Sequence, residues 1–224
     1  QGITGREAAS FSKDMLDYGT KVVAGVTPGK QGQQVHGLTV YDTVRGAMRE
    51  HPADASVISV PPGMVKGAAL EALENGIQLV AVVSERVPRR DTLEFLEVAR
   101  EKNARIIGPN TLGLISPHIF KLGMPGGPVD DVKKAYMPGP VGIASRSGGM
   151  TTEIANLLTT HGIGQSTCIG VGGDPVVGSN FLDLIPLFDR DPQTKVLVLF
   201  CEPGGIIEEQ TAEFVRAENV TLPI

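Results

Sequence analysis

The chain alternates between short apolar, β-branched runs and longer amphipathic stretches along nearly all of its 224 residues. The run 195–200 has the composition of a buried strand, and the stretch 7–18 places Ala8, Phe11 and Met15 on one face of a helix. Strands that alternate with helices are typical of parallel sheets covered by helices. The pattern therefore predicts an α/β fold.

This alternation also predicts the domain organisation. The stretch from Ser116 to Pro140 is rich in glycine and proline and follows neither period, which is typical of a connection between domains. We predict a first domain over 1–120, a connector over 121–140 and a second domain over 141–224. Both ends are interpreted as truncated, because the chain opens on a turn and stops where a strand begins. The predicted strands are 21–25, 56–60, 78–83, 104–107, 141–144, 165–171 and 195–200, and the predicted helices are 7–18, 64–74, 91–101, 150–161, 180–188 and 206–217.

Composition and charge argue against several classes of function. A formal net charge of −5 with scattered lysines and arginines gives no basic surface for nucleic acid. The longest apolar runs are too short to cross a bilayer, so we expect a cytoplasmic protein, or a mitochondrial matrix protein in a eukaryote. Cys168 and Cys201 lie in apolar runs and predict free thiols, with a disulfide as the less favoured alternative. The four histidines are isolated from one another, so no metal site is predicted.

The most informative segment is 141–153, where an apolar strand ends in a turn of serine and glycine and a helix begins directly after it. The first turn of a helix carries amide N–H groups without intrahelical acceptors, and the peptide dipoles add partial positive charge there. Ser147, Gly148 and Gly149 are therefore predicted to hold a phosphate without a cationic side chain. An ordinary strand-to-helix turn with a serine cap is the alternative.

A second glycine turn lies at the start of the chain. Residues 2–8 have the GxxGxxA spacing of a nucleotide-binding turn. The strand predicted after them runs into Thr27-Pro28-Gly29-Lys30, and not into the acidic residue that usually binds the ribose of a dinucleotide, which argues against NAD. Lys30 follows a rigid turn and is a candidate phosphate contact, with a solvated loop lysine as the alternative.

Further turns follow other predicted strands. The carboxyl ends of parallel strands meet at one edge of a sheet, where open α/β sheets bind ligands. Ser84 and Glu85 follow one strand, the turn 107–113 includes Asn110, and a glycine-rich turn spans 170–180. The alternatives are a helix cap or a solvated acid at 84–85, and a turn selected for its glycine and proline at 107–113.

Glu202 follows the strand 195–200 at the same edge. A carboxylate beside an anion site repels the anion, so Glu202 is better suited to orient an imidazole that carries or receives a phosphoryl group. An acid that interacts favourably with a helix dipole is the alternative.

In chain order, the motifs GxTG, VTPGK, IGPN, SRSG, GQST with GGDP and GSNF, and E-x-GG resemble the alpha subunit of succinyl-CoA synthetase over essentially all 224 residues. The resemblance implies a Rossmann-type CoA-binding domain followed by a flavodoxin-like domain. It also implies a heterodimer or heterotetramer with a beta subunit whose ATP-grasp domain binds ATP or GTP with Mg. The expected substrates are coenzyme A and a small dicarboxylic or tricarboxylic acid.

The resemblance also implies roles for individual residues. Ser147, Gly148 and Gly149 match the turn that holds the phosphoryl group, and Glu202 matches the glutamate that positions the active histidine. The similar enzymes activate a carboxylate as an acyl phosphate, which CoA attacks, while a histidine passes the phosphoryl group to the nucleotide. The positions that match CoA contacts are Thr4, Gly5, Arg6, Glu7, Pro28, Lys30, Val83, Ser84 and Glu85, with Asn110 where the thiol end of CoA is expected.

Three features depart from the family's usual pattern. Its phosphorylated histidine lies in a GHAGA loop beyond the last residue here, and His36, His51, His118 and His161 lie in other contexts, so this chain alone is expected to be inactive. Gly149-Met150 and Thr152 replace residues of the usual SRSGTLTYE run, and the replaced tyrosine is near the acid substrate. The longer connector and SRSGGM are similar to ATP-citrate lyase and citryl-CoA synthetase. Citrate or malate as the acid, and a CoA-binding module without ligase activity, are therefore alternatives.

Overall fold

The computed structural model describes residues 1–202, 206–218 and 220–224. The helices are α1 (Arg6–Tyr18), α2 (Val44–Glu50), α3 (Val65–Glu74), α4 (Arg89–Glu101), α5 (Val129–Ala135), α6 (Gly148–Thr160), α7 (Phe181–Arg190) and α8 (Ile207–Ala217). The strands are β1 (Gly25–Val26), β2 (Gln34–Val35), β3 (Leu38–Tyr41), β4 (Ala55–Ile58), β5 (Leu79–Val82), β6 (Arg105–Ile107), β7 (Gly113–Ser116), β8 (Phe120–Gly123), β9 (Pro138–Ser145), β10 (Gln165–Gly170) and β11 (Val196–Phe200).

The strands of the first half form two small sheets, and those of the second half form one larger sheet. β4, β5 and β6 pair in parallel in that order. β1 pairs in parallel with β3, and β2 adds to β3 as an antiparallel hairpin. The larger sheet has the order β11-β9-β10-β7-β8, in which β9, β10 and β11 are parallel and β7 is antiparallel to both of its neighbours.

The predicted α/β fold is confirmed. The predicted helices are all present, with ends that differ by at most two residues. α1 buries Ala8, Phe11 and Met15 on one face, and β5 is buried over 80–82 because helices or loops cover both faces of the sheet.

The predicted strand 21–25 is wrong over most of its length, because only Gly25 and Val26 pair with β3. The β2–β3 hairpin and α2 were not predicted. Two-residue turns with positive φ at both positions join hairpin strands efficiently, and His36 and Gly37 have φ of 52° and 80°. These strands are too short for alternation to reveal them in the sequence.

The stretch 121–140 is not an irregular linker, which corrects the expectation of a connector without periodicity. It contains β8, α5 and the first residues of β9. Gly126 and Gly127 form the turn between β8 and α5, and both have φ of 69°. β7 and β8, over 113–123, pair with the later sheet, so that sheet is mixed where a parallel one was expected. Residues 113–123 of the predicted first domain and connector therefore belong to the later sheet, and the division into two domains remains a proposal.

One hydrophobic cluster joins the first half of the chain to the larger sheet. It contains Phe11 and Met15 of α1, Ile107 of β6, Ile169 of β10 and Phe181 of α7. Complete burial of such a side chain contributes about 1.5–3 kcal/mol. The shared cluster therefore fixes the position of the strand ends of the first half relative to those of the larger sheet.

Cys168 is buried, Cys201 is half-buried and both are free thiols, as predicted. Burial raises the pKa of each thiol. None of the helices in the described ranges is both long and apolar enough to cross a membrane.

Candidate functional site

A cavity of about 780 Å³ opens at the carboxyl ends of β4, β5 and β6. The loops after these strands form its walls, and the N-termini of α1 and α6 face into it. This is the edge at which open α/β sheets bind ligands. The predicted site residues that line the cavity are Gly5, Arg6, Glu7, Val83, Ser84, Glu85, Asn110, Gly148 and Gly149.

The turn before α6 is fixed by hydrogen bonds within the turn. Ser147 is the N-cap, and its hydroxyl accepts the N–H of Met150 at 3.4 Å. The carbonyl of Ser147 accepts the hydroxyls of Ser145 at 2.7 Å and Thr151 at 2.9 Å. The N–H groups of Gly148 and Gly149 are therefore left at the free end of the helix.

The two glycines of this turn have different roles. A Cβ on Gly148 would lie 2.5 Å from Cγ of Leu112, so the glycine allows the helix to pack against that side chain. A Cβ on Gly149 would meet no atom within 4 Å, so the space beside Gly149 is open. The first turn of α6 contains no acidic residue. An anion in this space would interact favourably with the helix dipole.

The turn before α1 is held by the close approach of backbone segments. Gly2 has φ of +80°, and a Cβ there would lie 2.1 Å from the carbonyl oxygen of Ser59. The N–H of Gly5 donates to the carbonyl of Gly2 at 2.9 Å, and Gly5 caps α1 without a side-chain hydrogen bond. Arg6 and Glu7 begin the helix and line the cavity, so the first turn of α1 carries one positive and one negative side chain there.

The loop after β5 is held by Ser84. Its hydroxyl donates to the carbonyl of Val60 at 2.6 Å and accepts the N–H of Val60 at 3.1 Å. The carbonyl of Ser84 accepts the N–H of Asn110 at 2.9 Å. Ser84 thus joins the loops that follow β4, β5 and β6. Glu85 and Arg86 are exposed at the rim and form an ion pair of 3.6 Å.

Residues 110–112 line the cavity, and hydrogen bonds join the loop 108–112 to the glycine-rich loop 171–178 in a seam. Gly108 N–H donates to Val171 at 3.1 Å, Gly173 N–H donates to Asn110 at 3.0 Å, and Gly178 N–H donates to Gly108 at 2.8 Å. Asn110 has φ of 59°, which asparagine tolerates better than most residues. The seam connects the loop after β6 to the loop after β10.

Asp174, in this second loop, was not predicted as a site residue. Its carboxylate accepts the N–H of Arg86 at 3.3 Å and of Val87 at 3.2 Å. Its main-chain carbonyl accepts Nη2 of Arg146 at 3.3 Å, directly before the α6 turn. The GGDP motif was the available signal, but its partners are distant in sequence.

The other predicted site residues do not line the cavity. The Thr4 hydroxyl donates to Oγ1 of Thr27 at 3.3 Å, and Pro28 and Lys30 are exposed beyond β1. Ser147 lies next to the lining as the cap of α6. The Thr152 hydroxyl is hydrogen-bonded to that of Tyr136 at 2.9 Å, on the side of α6 that faces α5.

Glu202 also lies outside this lining, exposed just after β11. Residues 203–205 of the E-x-GG motif lie outside the described residues. Across the described part of the chain, no group of three or more His, Cys, Asp or Glu residues is arranged to hold a metal ion.

Comparison with known proteins relates this cavity to a family. A family model for the CoA binding domain matches residues 1–86, and a CoA-ligase model matches residues 144–222. The succinate–CoA ligase [ADP-forming] subunit alpha 2 of Archaeoglobus fulgidus is 46% identical over 216 residues, which are 96% of this chain and 73% of that protein. The chain belongs to the ADP-forming succinate–CoA ligase alpha-subunit family. The resemblance seen in the motifs is therefore confirmed, and the chain is a subunit of a CoA ligase.

Other relatives act on different acids. An ADP-forming sulfoacetate–CoA ligase subunit from an Acholeplasma species is 42% identical over 224 residues, which are all of this chain and 75% of that protein. The ATP citrate lyase of Methanothrix soehngenii, solved with citrate and coenzyme A, superposes with a TM-score of 0.89 at 28% identity. The match covers 97% of this chain and 38% of that one. The chain thus spans about three quarters of its curated relatives.

The two matched segments meet at the cavity. α1 lies in the CoA binding segment and α6 lies in the CoA-ligase segment, and both N-termini face the same space. The cavity is therefore built jointly by the two segments.

Proposed function

We propose that the chain is the alpha subunit of an acid–CoA ligase that binds CoA and holds a phosphoryl group while ATP or GTP is cleaved. The observation that supports this most directly is the shared cavity, in which the free end of α6 lies across from the CoA binding segment. An acyl phosphate that reacts with a thiol needs both groups in one place.

The residues proposed to hold CoA follow the carboxyl edge of the first half. Arg6, Ser84 and Asn110 line the cavity, and Asn110 is proposed to lie beside the thiol end of CoA. Lys30 lies outside the lining, but Thr4 contacts Thr27 at the start of the same loop. The exposed ammonium of Lys30 would extend the site beyond β1 and contact a CoA phosphate.

The phosphoryl group would lie beside Gly148 and Gly149. Free N–H groups and a first turn without acidic side chains stabilise a phosphate there before and during transfer. Glu202 would orient a phosphohistidine, which the family resemblance places outside these 224 residues. Neutral imidazole is nucleophilic near pH 7, which suits it to carry the phosphoryl group.

The proposed partner is a beta subunit with an ATP-grasp domain, in a heterodimer or heterotetramer. That subunit would bind the nucleotide with Mg, which supplies charge stabilisation during phosphoryl transfer. We propose that the complex works in the cytoplasm, or in the mitochondrial matrix of a eukaryote.

Succinate is the first candidate for the acid, and sulfoacetate is the second. The relatives at 46% and 42% identity are named for these two acids. Citrate or malate is a further alternative, since the solved lyase contains citrate. Thr152 is a weaker candidate than its motif position suggested, because its hydroxyl faces Tyr136.

The test has two stages. Calorimetric titration of the native chain with CoA should give saturable one-site binding, and no binding would refute the CoA site. The complete protein and its partner subunit should then release NDP in a CoA-dependent reaction with succinate, sulfoacetate, citrate or malate. Turnover of citrate alone would overturn succinate as first choice. CoA binding without turnover of any acid would favour a non-catalytic CoA-binding module.

A further inference from the structure

The carboxylate of Asp174 is a buried group whose hydrogen-bond partners lie in another loop, the one that follows β5. Its side chain is 7% exposed, and its two oxygens accept the N–H groups of Arg86 and Val87. Arg86 has φ of 58°, a conformation that costs most residues free energy. Because both N–H groups point at one carboxylate, Asp174 stabilises this conformation of the loop after β5.

The main chain of Asp174 contacts the residue that precedes the turn before α6, the proposed phosphate site. Nη2 of Arg146 donates to the carbonyl of Asp174 at 3.3 Å. Arg146 is also fixed at its own backbone, since its N–H donates to Phe200 at 2.9 Å. The next residue along the chain, Ser147, caps α6. A continuous set of contacts therefore runs from the α6 turn through Arg146 and Asp174 to the loop 84–87.

We propose that Asp174 is a positioning residue that sets the CoA-side loop 84–87 against the phosphate turn before α6. The inference rests on the proposed CoA and phosphate sites. Asp174 lies outside the cavity lining, so it would act through the loop, in which Ser84, Glu85 and Arg86 line the cavity. Loss of the carboxylate would free the loop and move the proposed CoA contacts relative to α6.

Asp174→Asn is the informative change, because it keeps the size of the side chain and replaces one acceptor with a donor. The new amide N–H₂ would face the N–H of Arg86 or Val87. Asp183→Asn is the matched control, since Asp183 also accepts a backbone N–H, that of Asn180 at 2.9 Å, at the start of α7. Each variant replaces a carboxylate that accepts a backbone N–H with a side-chain amide. Only the Asp174 carboxylate contacts the loop 84–87.

Three measurements on the full chain test the proposal. Titration with CoA should show about tenfold weaker binding for Asp174→Asn and unchanged binding for Asp183→Asn. Amide hydrogen exchange without CoA should accelerate at residues 86 and 87 in Asp174→Asn, with the rest of the chain unchanged. Arg146→Met should weaken CoA binding less than Asp174→Asn does. The loss of affinity in the double variant should be smaller than the product of the two single losses.

Unchanged CoA binding in Asp174→Asn would overturn the proposal, and so would equal losses in Asp174→Asn and Asp183→Asn. Faster exchange throughout the chain would indicate a general role in stability and also contradict it, as would strictly additive effects of Asp174 and Arg146. If the native chain does not bind CoA, the proposed function fails, whereas the exchange at residues 86 and 87 still tests the positioning of the loop.

Discussion

Two helices of equal length direct their N-termini into the same cavity, and they are built differently. α1 is capped by Gly5 without a side-chain hydrogen bond and carries Arg6 and Glu7 in its first turn. α6 is capped by the hydroxyl of Ser147 and begins with two glycines and no acid. Before α1, glycine is needed because another backbone segment is close, whereas at Gly149 of α6 there is open space.

The difference shows that a glycine-rich turn can serve two purposes that look alike in sequence. At Gly2 the missing side chain lets the turn pack against Ser59. At Gly149 it leaves open space next to backbone N–H groups, where the proposed phosphate would lie. Substitutions at these two glycines should therefore affect different properties, folding in the first case and chemistry in the second.

The largest effect is expected for Gly149→Asp. A carboxylate at the start of α6 would occupy the positive end of the helix and repel a phosphate, so the ligase rate of the complete enzyme should fall about 10³-fold. Gly149→Asn has the same size without the charge and should lose far less activity. Steady-state NDP release measures both, and equal losses would show that space, and not charge, matters at α6.

Gly2→Ala should destabilise the chain by about 3 kcal/mol, because alanine adds strain at positive φ and a clash with Ser59. Gly19→Ala is the control, since Gly19 also has positive φ but no atom near its Cβ position. That change should cost only about 1 kcal/mol, the strain of alanine at positive φ alone. Urea denaturation compares the two, and similar costs would remove the close approach as the reason for Gly2.

Ser147→Ala removes the cap of α6 and should lower stability by about 1 kcal/mol. Thr43→Ala removes the equivalent cap of α2, where the threonine hydroxyl accepts the N–H of Gly46 at 3.0 Å. Both losses should be similar in denaturation experiments, but only Ser147→Ala should also slow the ligase reaction. If the two variants are equally active, the α6 cap has no role at the site.

The smallest effect is expected for Lys30→Ala, which should weaken CoA binding about threefold, since an exposed charge contributes little. The effect should diminish as the salt concentration rises. Lys13→Ala, an exposed lysine paired with Asp17 on α1, should leave the affinity unchanged. Titration with CoA at two salt concentrations checks this, and a native affinity in Lys30→Ala would remove Lys30 from the CoA site.

Local patterns in the sequence were sufficient to predict most of the helices and the turn before α6. Hydrophobic periodicity located the longer helices but not the seven-residue α2 and α5, and the Ser147 turn was found because a strand, a glycine turn and a helix are contiguous. The β2–β3 hairpin was missed since its strands are too short to alternate visibly. Asp174 was missed because its contacts lie 87 and 88 residues away, and only the tertiary fold brings them together. Thr152 stands where the family's usual run has a tyrosine, but its hydroxyl contacts Tyr136, the residue directly after α5, and the sequence does not show that contact.

The seam between the loops 108–112 and 171–178 has a consequence for recombination between relatives. Residues 87–143 separate the two family-matched segments, yet they contain β7 and β8, which complete the larger sheet, and the loop that forms one side of the seam. A chimera that joins the CoA binding half of one relative to the ligase half of another would combine loops that evolved against different neighbours. Crossovers before residue 108 that keep the whole seam from one parent should yield the better-folded hybrids.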